Sequence, residues 1–281
     1  VQTFTKSLIV TTFLLFFCPG LIATVFAAPQ ADLWPRWQAN ESQSSLKVDH
    51  SAWGRFLDSY LVVSKTGSAN LVRYAAVNRA DKADLALYIA SLGDVPMARL
   101  ERAEQRAVWI NLYNALTVQT ILTHYPVQSI RDIGSGWFSS GPWDMKMVRV
   151  GGVELSLNDI EHRILRPIWQ DNRVHYAVNC ASLGCPNLQP EPFTAQNSER
   201  LLNKAAKEFI NSPRGATVVG GRLILSSIYD WFQADFGVSE ATLIDHLEIF
   251  ATPALVAELR RYRGAISYKY DWGLNGAQVA R

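Results

Sequence analysis

The chain has 281 residues, 48% of them hydrophobic and 19% charged, with a formal net charge of +2. These values place it among ordinary globular proteins with enough apolar residues for a sizeable core. A charge this near zero, with Lys and Arg scattered, argues against a nucleic-acid partner, which needs a concentrated basic face.

The first segment reads as a signal peptide over 1–28. Lys6 precedes an apolar run over 8–17, and Val25-Phe26-Ala27 closes the run with a cleavage pattern. Cleavage after Ala27 or Ala28 would export a chain beginning near Pro29, to a periplasmic or extracellular location. The alternative is an uncleaved anchor, since 8–26 is almost long enough to span a bilayer, and it is the one membrane contact the sequence offers. Cys18 is poorly set for lipidation, with Phe16-Phe17 before it and Pro19 after.

Residues 29–281 read as one domain. Residues 29–50 form an irregular polar arm carrying Trp34 and Trp37, and helical apolar spacing follows over 53–63 (Trp53, Phe56, Leu57, Tyr60, Leu61). A second helix is expected over 70–78, and a third after Asp81 and Asp84, stopped at Gly93. The longest candidate runs over 100–124. Trp109, Leu112, Tyr113, Leu116 and Ile121 give it a broad apolar face, and Pro126 ends it. Asn111 and Asn114 lie inside this apolar stretch, so each amide must be a structural tether or a substrate-binding group.

A loop rich in Gly, Ser and Trp follows, from Gly134 through Trp137-Phe138 to Gly141-Pro142-Trp143. Its aromatic residues, Trp143 among them, can wall a substrate site or plug an irregular surface. A hairpin turns at Gly151-Gly152, and Ser156 with Asp159 forms a capping box for a helix carrying Glu161 and His162 that should stop at Pro167. Residues 174–180 read as a central strand, and a helix follows Thr194 to about 211. A second hairpin turns at Gly220-Gly221, and helices are expected over 228–236, 240–250 and 253–262. An alternating strand over 266–270 closes the order. Arg260-Arg261-Tyr262-Arg263 reads as a solvated helix end. This order favours an α+β fold with a small antiparallel or mixed sheet.

Three motifs together resemble the family catalogued as "domain of unknown function 547". They are Trp109-Ile110-Asn111-Leu112-Tyr113-Asn114-Ala115-Leu116, the helix with Ile160-Glu161-His162, and His175-Tyr176-Ala177-Val178-Asn179-Cys180 followed by Cys185-Pro186. The resemblance spans 53–272 and is strongest over 109–188. It implies no assigned activity. Family members include exported bacterial proteins, plant proteins with a coiled-coil segment, and animal proteins fused to a glutaredoxin-type domain, an association that hints at thiol chemistry.

Chemistry centres on Cys180 and Cys185. One reading is acyl transfer of the papain or transglutaminase kind. Cys180 is then the nucleophile, His162 its base with Glu161 nearby, and Asn179 or Asn111 an oxyanion or orienting contact. Asn114, Trp143, His175 and Cys185 would line the substrate, a small molecule or a peptide. His175 lies roughly 16 Å from Cys180 along a strand and could serve it only if that strand breaks. The sequence after Cys180 reads as loop, whereas the cysteine of those enzymes begins a helix. A second reading is thiol–disulfide work or binding of a thiol such as glutathione, although the four-residue gap is wider than in thioredoxin-like sites. In a third, Cys180–Cys185 is a structural disulfide of a non-catalytic binding domain, its ring turned by Gly184. A metal site of Cys180, Cys185, His162 and His175 fits zinc spacing poorly, so neither metal nor cofactor is expected.

Overall fold

The structure is a computed structural model that describes residues 29–134 and 141–277. The expected signal segment and residues 135–140 of the Gly/Ser/Trp loop lie outside the described residues. In chain order the helices are α1 (Ser51–Tyr60), α2 (Arg79–Gly93) and α3 (Arg102–His124), then a π-helix (Asp159–Leu165) continued by α4 (Arg166–Trp169). They continue with α5 (Val174–Ala177), α6 (Ser198–Ile210), α7 (Ile228–Trp231), α8 (Gln233–Phe236), α9 (Glu240–Phe250) and α10 (Pro253–Arg261). The strands are β1 (Leu61–Val62), β2 (Leu71–Val72), β3 (Val148–Val150), β4 (Val153–Leu155), β5 (Ala216–Val219), β6 (Arg222–Ser226) and β7 (Ser267–Lys269). β1–β2 and β3–β4 are antiparallel ribbons, while β5–β6–β7 is a mixed sheet in which β7 runs parallel to β6. The architecture is α+β, with small sheets among many helices. No helix among the described residues is long and apolar enough to cross a membrane.

The fold is hung on α3. From Glu104 to Leu122 nearly every side chain is buried, so this helix has no solvent face to speak of. Its polar members are therefore paired. Arg106 bonds Asp171 at 3.2 Å and also contacts Glu199 of α6. Asn111 clamps one residue of a distant loop, donating to the Phe193 carbonyl at 2.7 Å and accepting from its N–H at 2.9 Å. Asn114 does the same across Val178, donating to Ala177 O at 2.9 Å and accepting from Asn179 N at 2.8 Å. Each amide thus replaces a missing backbone partner for an irregular segment.

Two apolar cores meet at α5. Val174 and Ala177 belong to the core built on α1–α3, whereas Tyr176 belongs to the one built from α6, the three-stranded sheet and α9–α10. The expected strand over 174–180 is corrected here: it is one turn of helix followed by loop. A fully buried apolar run carries no periodicity to tell helix from strand. The local trigger is Asp171, whose side chain accepts from Arg173 N at 3.0 Å while its carbonyl accepts from Val174 N at 3.0 Å.

Three further expectations are corrected. Residues 70–78 form β2 and a short 3-10 turn (Tyr74–Ala76), because the Val72 backbone is taken up by Asn275 and Ala277 of the C-terminal segment, both at 2.8 Å. The helix over 228–236 breaks at Phe232 into α7 and α8. Pro167 does not stop its helix. The ring removes one N–H and the π turn widens the ladder, so carbonyls are freed around it. His162 O accepts from Asp32 N at 2.9 Å and Arg163 O from Trp34 N at 3.0 Å, so the N-terminal arm supplies what Pro167 cannot. The arm is irregular, as expected, but Trp37 is buried and edge-on to Trp109 at 5.1 Å.

Replacing Asn111 or Asn114 by Leu should lower stability by about 1–3 kcal/mol for each backbone group orphaned. Urea unfolding should show a lower midpoint with an unchanged slope; wild-type midpoints would contradict the clamp.

Candidate functional site

Cys180 and Cys185 are joined in a disulfide, with Cα atoms 6.2 Å apart. Their ring is held from two sides. Asn179 donates to Pro186 O at 2.7 Å and accepts from Ala181 N at 2.9 Å, closing the loop on itself. The C-terminal segment runs alongside, with Leu183 N on Gly273 O at 2.7 Å and Gly184 N on Asp271 O at 2.8 Å. Gly184 was expected to permit the turn through its own backbone freedom. Its role is close approach, since a Cβ there would lie 2.7 Å from Asp271 N. The left-handed residue of the ring is Ala181, at φ 59°. A side-chain-bearing residue in this region costs roughly 1–2 kcal/mol, and such strain gathers at functional loops.

The two sulfurs are not equivalent. Cys180 is partly exposed, whereas Cys185 is buried. Cys185 Sγ accepts from Cys180 N at 2.9 Å and from the Tyr270 hydroxyl at 3.2 Å. The same hydroxyl lies 3.0 Å from Cys180 Sγ and accepts from Ser182 Oγ at 2.9 Å. Tyr270 and Ser182 carry no motif signal in the sequence. Tyr270 lies 85 positions beyond Cys185, and only the fold brings the two together.

An aromatic seam extends from Tyr270 along the junction of the two cores. Trp272 lies 4.6 Å from the Tyr270 ring and Trp231 4.8 Å. Trp143 closes edge-on to Trp272 at 5.7 Å. All four rings are partly exposed. Burial raises the hydroxyl of the buried Tyr113 well above its ordinary value, and the charge of Glu161 adds to the rise.

Behind this seam lies a buried charge network. The π-helix carries Glu161 and His162, and π turns recur at functional sites. Glu161 faces His175 Nδ1 at 3.6 Å, and His175 Nε2 meets Asp235 at 2.7 Å. Arg166 binds Asp235 at 2.6 Å through Nε and His162 Nδ1 at 2.9 Å through Nη1. Guanidinium only donates, so His162 accepts at Nδ1 and carries its proton on Nε2. Phe232 stacks on His175 with centroids 4.5 Å apart and packs against His162.

Burial works against charge at Glu161, His175 and His162, and pairing outweighs it at the first two but not at the third. Burial raises Glu161, but His162, His175 and Arg166 outweigh it and bring the carboxyl down to about 2. Burial lowers His175, yet its bonds to Asp235 and Glu161 raise it above the ordinary value of 6.5. Burial takes His162 down to about 4. Near neutral pH the network therefore holds Glu161 and Asp235 as anions and His162 neutral, and it favours the protonated form of His175.

Of the sequence candidates, Glu161, His162 and His175 share this network, and Cys180, Cys185 and Asn179 share the disulfide loop. Trp143 lies in the seam, and Asn111 and Asn114 are clamps on backbone. Tyr270 joins the two groups, touching both sulfurs and feeling the charge of Glu161. His162 spends its Nδ1 on Arg166 and His175 both its nitrogens on carboxylates, so neither ring is bonded to a sulfur. Among the described residues no cluster of three or more His, Cys, Asp or Glu could hold a metal ion.

Stability should peak near pH 6.5. Below it, the unfolded chain protonates His50, His162 and His246, which the fold holds neutral down to about 4, so stability falls between pH 6.5 and 4. Above it, the raised His175 keeps its proton in the fold while the unfolded chain releases it. That contribution, complete below 6.5, is lost as pH rises through the raised value. The contribution of Glu161 is complete above its ordinary 4.5 and goes only as pH falls towards about 2. Thermal melts across this range test the order; a melting temperature that climbs steadily above pH 6.5 would contradict the His175 pairing.

Residues 97–210 match the family model described as "Protein of unknown function, DUF547". The match contains the motifs on which the resemblance rests. No curated protein matches the chain. No solved structure matches it either.

Proposed function

We propose that, within this DUF547-matching segment, the chain performs thiol–disulfide exchange at Cys180–Cys185. One observation carries the reading: a partly exposed sulfur is bonded to a buried one that already receives two hydrogen bonds. Exchange runs fastest when the attacked sulfur is accessible and the departing sulfur is stabilised as thiolate. An incoming thiolate would attack Cys180 Sγ, the S–S bond would break, and its electron pair would leave on Cys185 Sγ. Cys180 N–H and the Tyr270 hydroxyl are the donors for that charge. A second external thiol would then release the mixed disulfide and leave both cysteines reduced. Export to an oxidising compartment belongs to this proposal, because there the resting disulfide would persist.

Acyl transfer by Cys180 stands as a second reading for the reduced protein. It is favoured by the hydroxyls of Tyr270 and Ser182, at 3.0 and 3.2 Å from Cys180 Sγ, which could meet a developing oxyanion. A base for that thiol would have to come from a rearranged His162 or His175.

The native chain should be reversibly reduced in glutathione buffers without loss of its circular dichroism. Cys185→Ser should trap a mixed disulfide on Cys180, while Cys180→Ser should label at least tenfold more slowly, because its remaining thiol is buried. Sulfurs that stay joined in excess native-state reductant would leave the disulfide a structural clip. Labelling of the reduced protein by acyl probes at Cys180 would favour the second reading.

A further inference from the structure

We propose that Arg214 tunes the redox balance of the Cys180–Cys185 pair, its guanidinium serving as the waiting counter-ion for the thiolate left on Cys185. The inference deepens the thiol–disulfide reading and rests on it.

Arg214 lies between α6 and β5 and is partly buried. Its Nη1 reaches the carbonyl of Cys185 in a close contact and that of Leu183 at 3.4 Å, while Nη2 donates to Asn187 Oδ1 at 2.9 Å. All these partners are neutral. Its Nε is buried with no hydrogen-bond partner. Glu208, whose charge it feels, is itself paired with Lys204 at 3.0 Å. Arg214 also acts on the Tyr270 hydroxyl, the group that touches both sulfurs. A cation is therefore held on the main chain of the buried cysteine, hydrogen-bonded in the oxidised protein to neutral acceptors alone.

Reduction changes this. Once an external thiol has attacked Cys180, the electron pair that leaves on Cys185 supplies the missing negative charge. Low-dielectric surroundings make such a pair count for more than it would in water. The cation thus favours the reduced form and lowers the pKa of the Cys185 thiol. A residue serving only to pin three acceptors of the loop would move neither quantity.

The test equilibrates the full chain with glutathione and counts alkylated thiols by mass. Arg214→Gln should shift the exchange constant about tenfold towards the disulfide, which is ~30 mV for a two-electron couple. Arg214→Lys, keeping the charge, should stay within about threefold of wild type. A thiolate-absorbance titration of Cys180→Ser, with Arg214 intact, should place Cys185 below the ordinary value of about 8.5. That measurement stands even where Arg214→Gln fails to fold. An exchange constant unchanged in Arg214→Gln, or a Cys185 thiol titrating at or above about 8.5, overturns the role of Arg214 while leaving exchange itself intact. A wild-type disulfide inert to glutathione takes down both.

Discussion

Two carboxylates share one imidazole inside this protein, and much of the site's geometry follows from that arrangement. Glu161 comes from the π-helix, His175 from α5 and Asp235 from α8, so three separate elements are fixed by one group of charges. Buried charges are costly unless each has its partner, and removing one member strands the others. Arg166 completes the balance and turns His162 as it does so. α5 is thereby set between the two cores, and the chain leaving it for the disulfide loop is braced by Asn114.

This coupling explains why an active thiol partner is hard to identify among the histidines. His175 is sealed between acids, and His162 is held neutral with its acceptor nitrogen occupied. The groups that do surround the sulfurs are hydroxyls, a backbone N–H and, one step away, a guanidinium. Such a setting stabilises a sulfur anion without removing a proton from it, which suits a bond that breaks by exchange better than one that waits for a base.

Much of the scaffold was legible in the sequence. α3, the hairpins at Gly151-Gly152 and Gly220-Gly221, α9 and α10 followed from periodicity, turn glycines and caps. The buried amides at Asn111 and Asn114 stood out because nothing apolar could satisfy them. What stayed hidden was hidden for physical reasons. Residues 174–180 are apolar on every side, so no period separates helix from strand. Pro167 breaks helices whose freed carbonyls find no donor, and the donor here lies over a hundred residues upstream. Glu161, His162, Cys180 and Cys185 were visible as motif members. Tyr270, Asp235 and Arg214 were not, since their positions depend on long-range packing that leaves no local pattern, and Ser182 inside the ring gained a role only once Tyr270 packed against it.

The docking of the arm over residues 29–50 on the π-helix has a consequence for proteolysis. Asp32 and Trp34 offer their main-chain N–H groups to His162 and Arg163, and Arg166 holds the Pro29 carbonyl at 2.7 Å. These acceptors ask only for peptide groups, while Trp37 against Trp109 and Trp34 under Arg163 fix the arm through their side chains. A protease that trims past residue 34 would uncover two main-chain oxygens on the very turn that carries Glu161. The fold therefore sets an inner limit on how far the chain can be trimmed from this side.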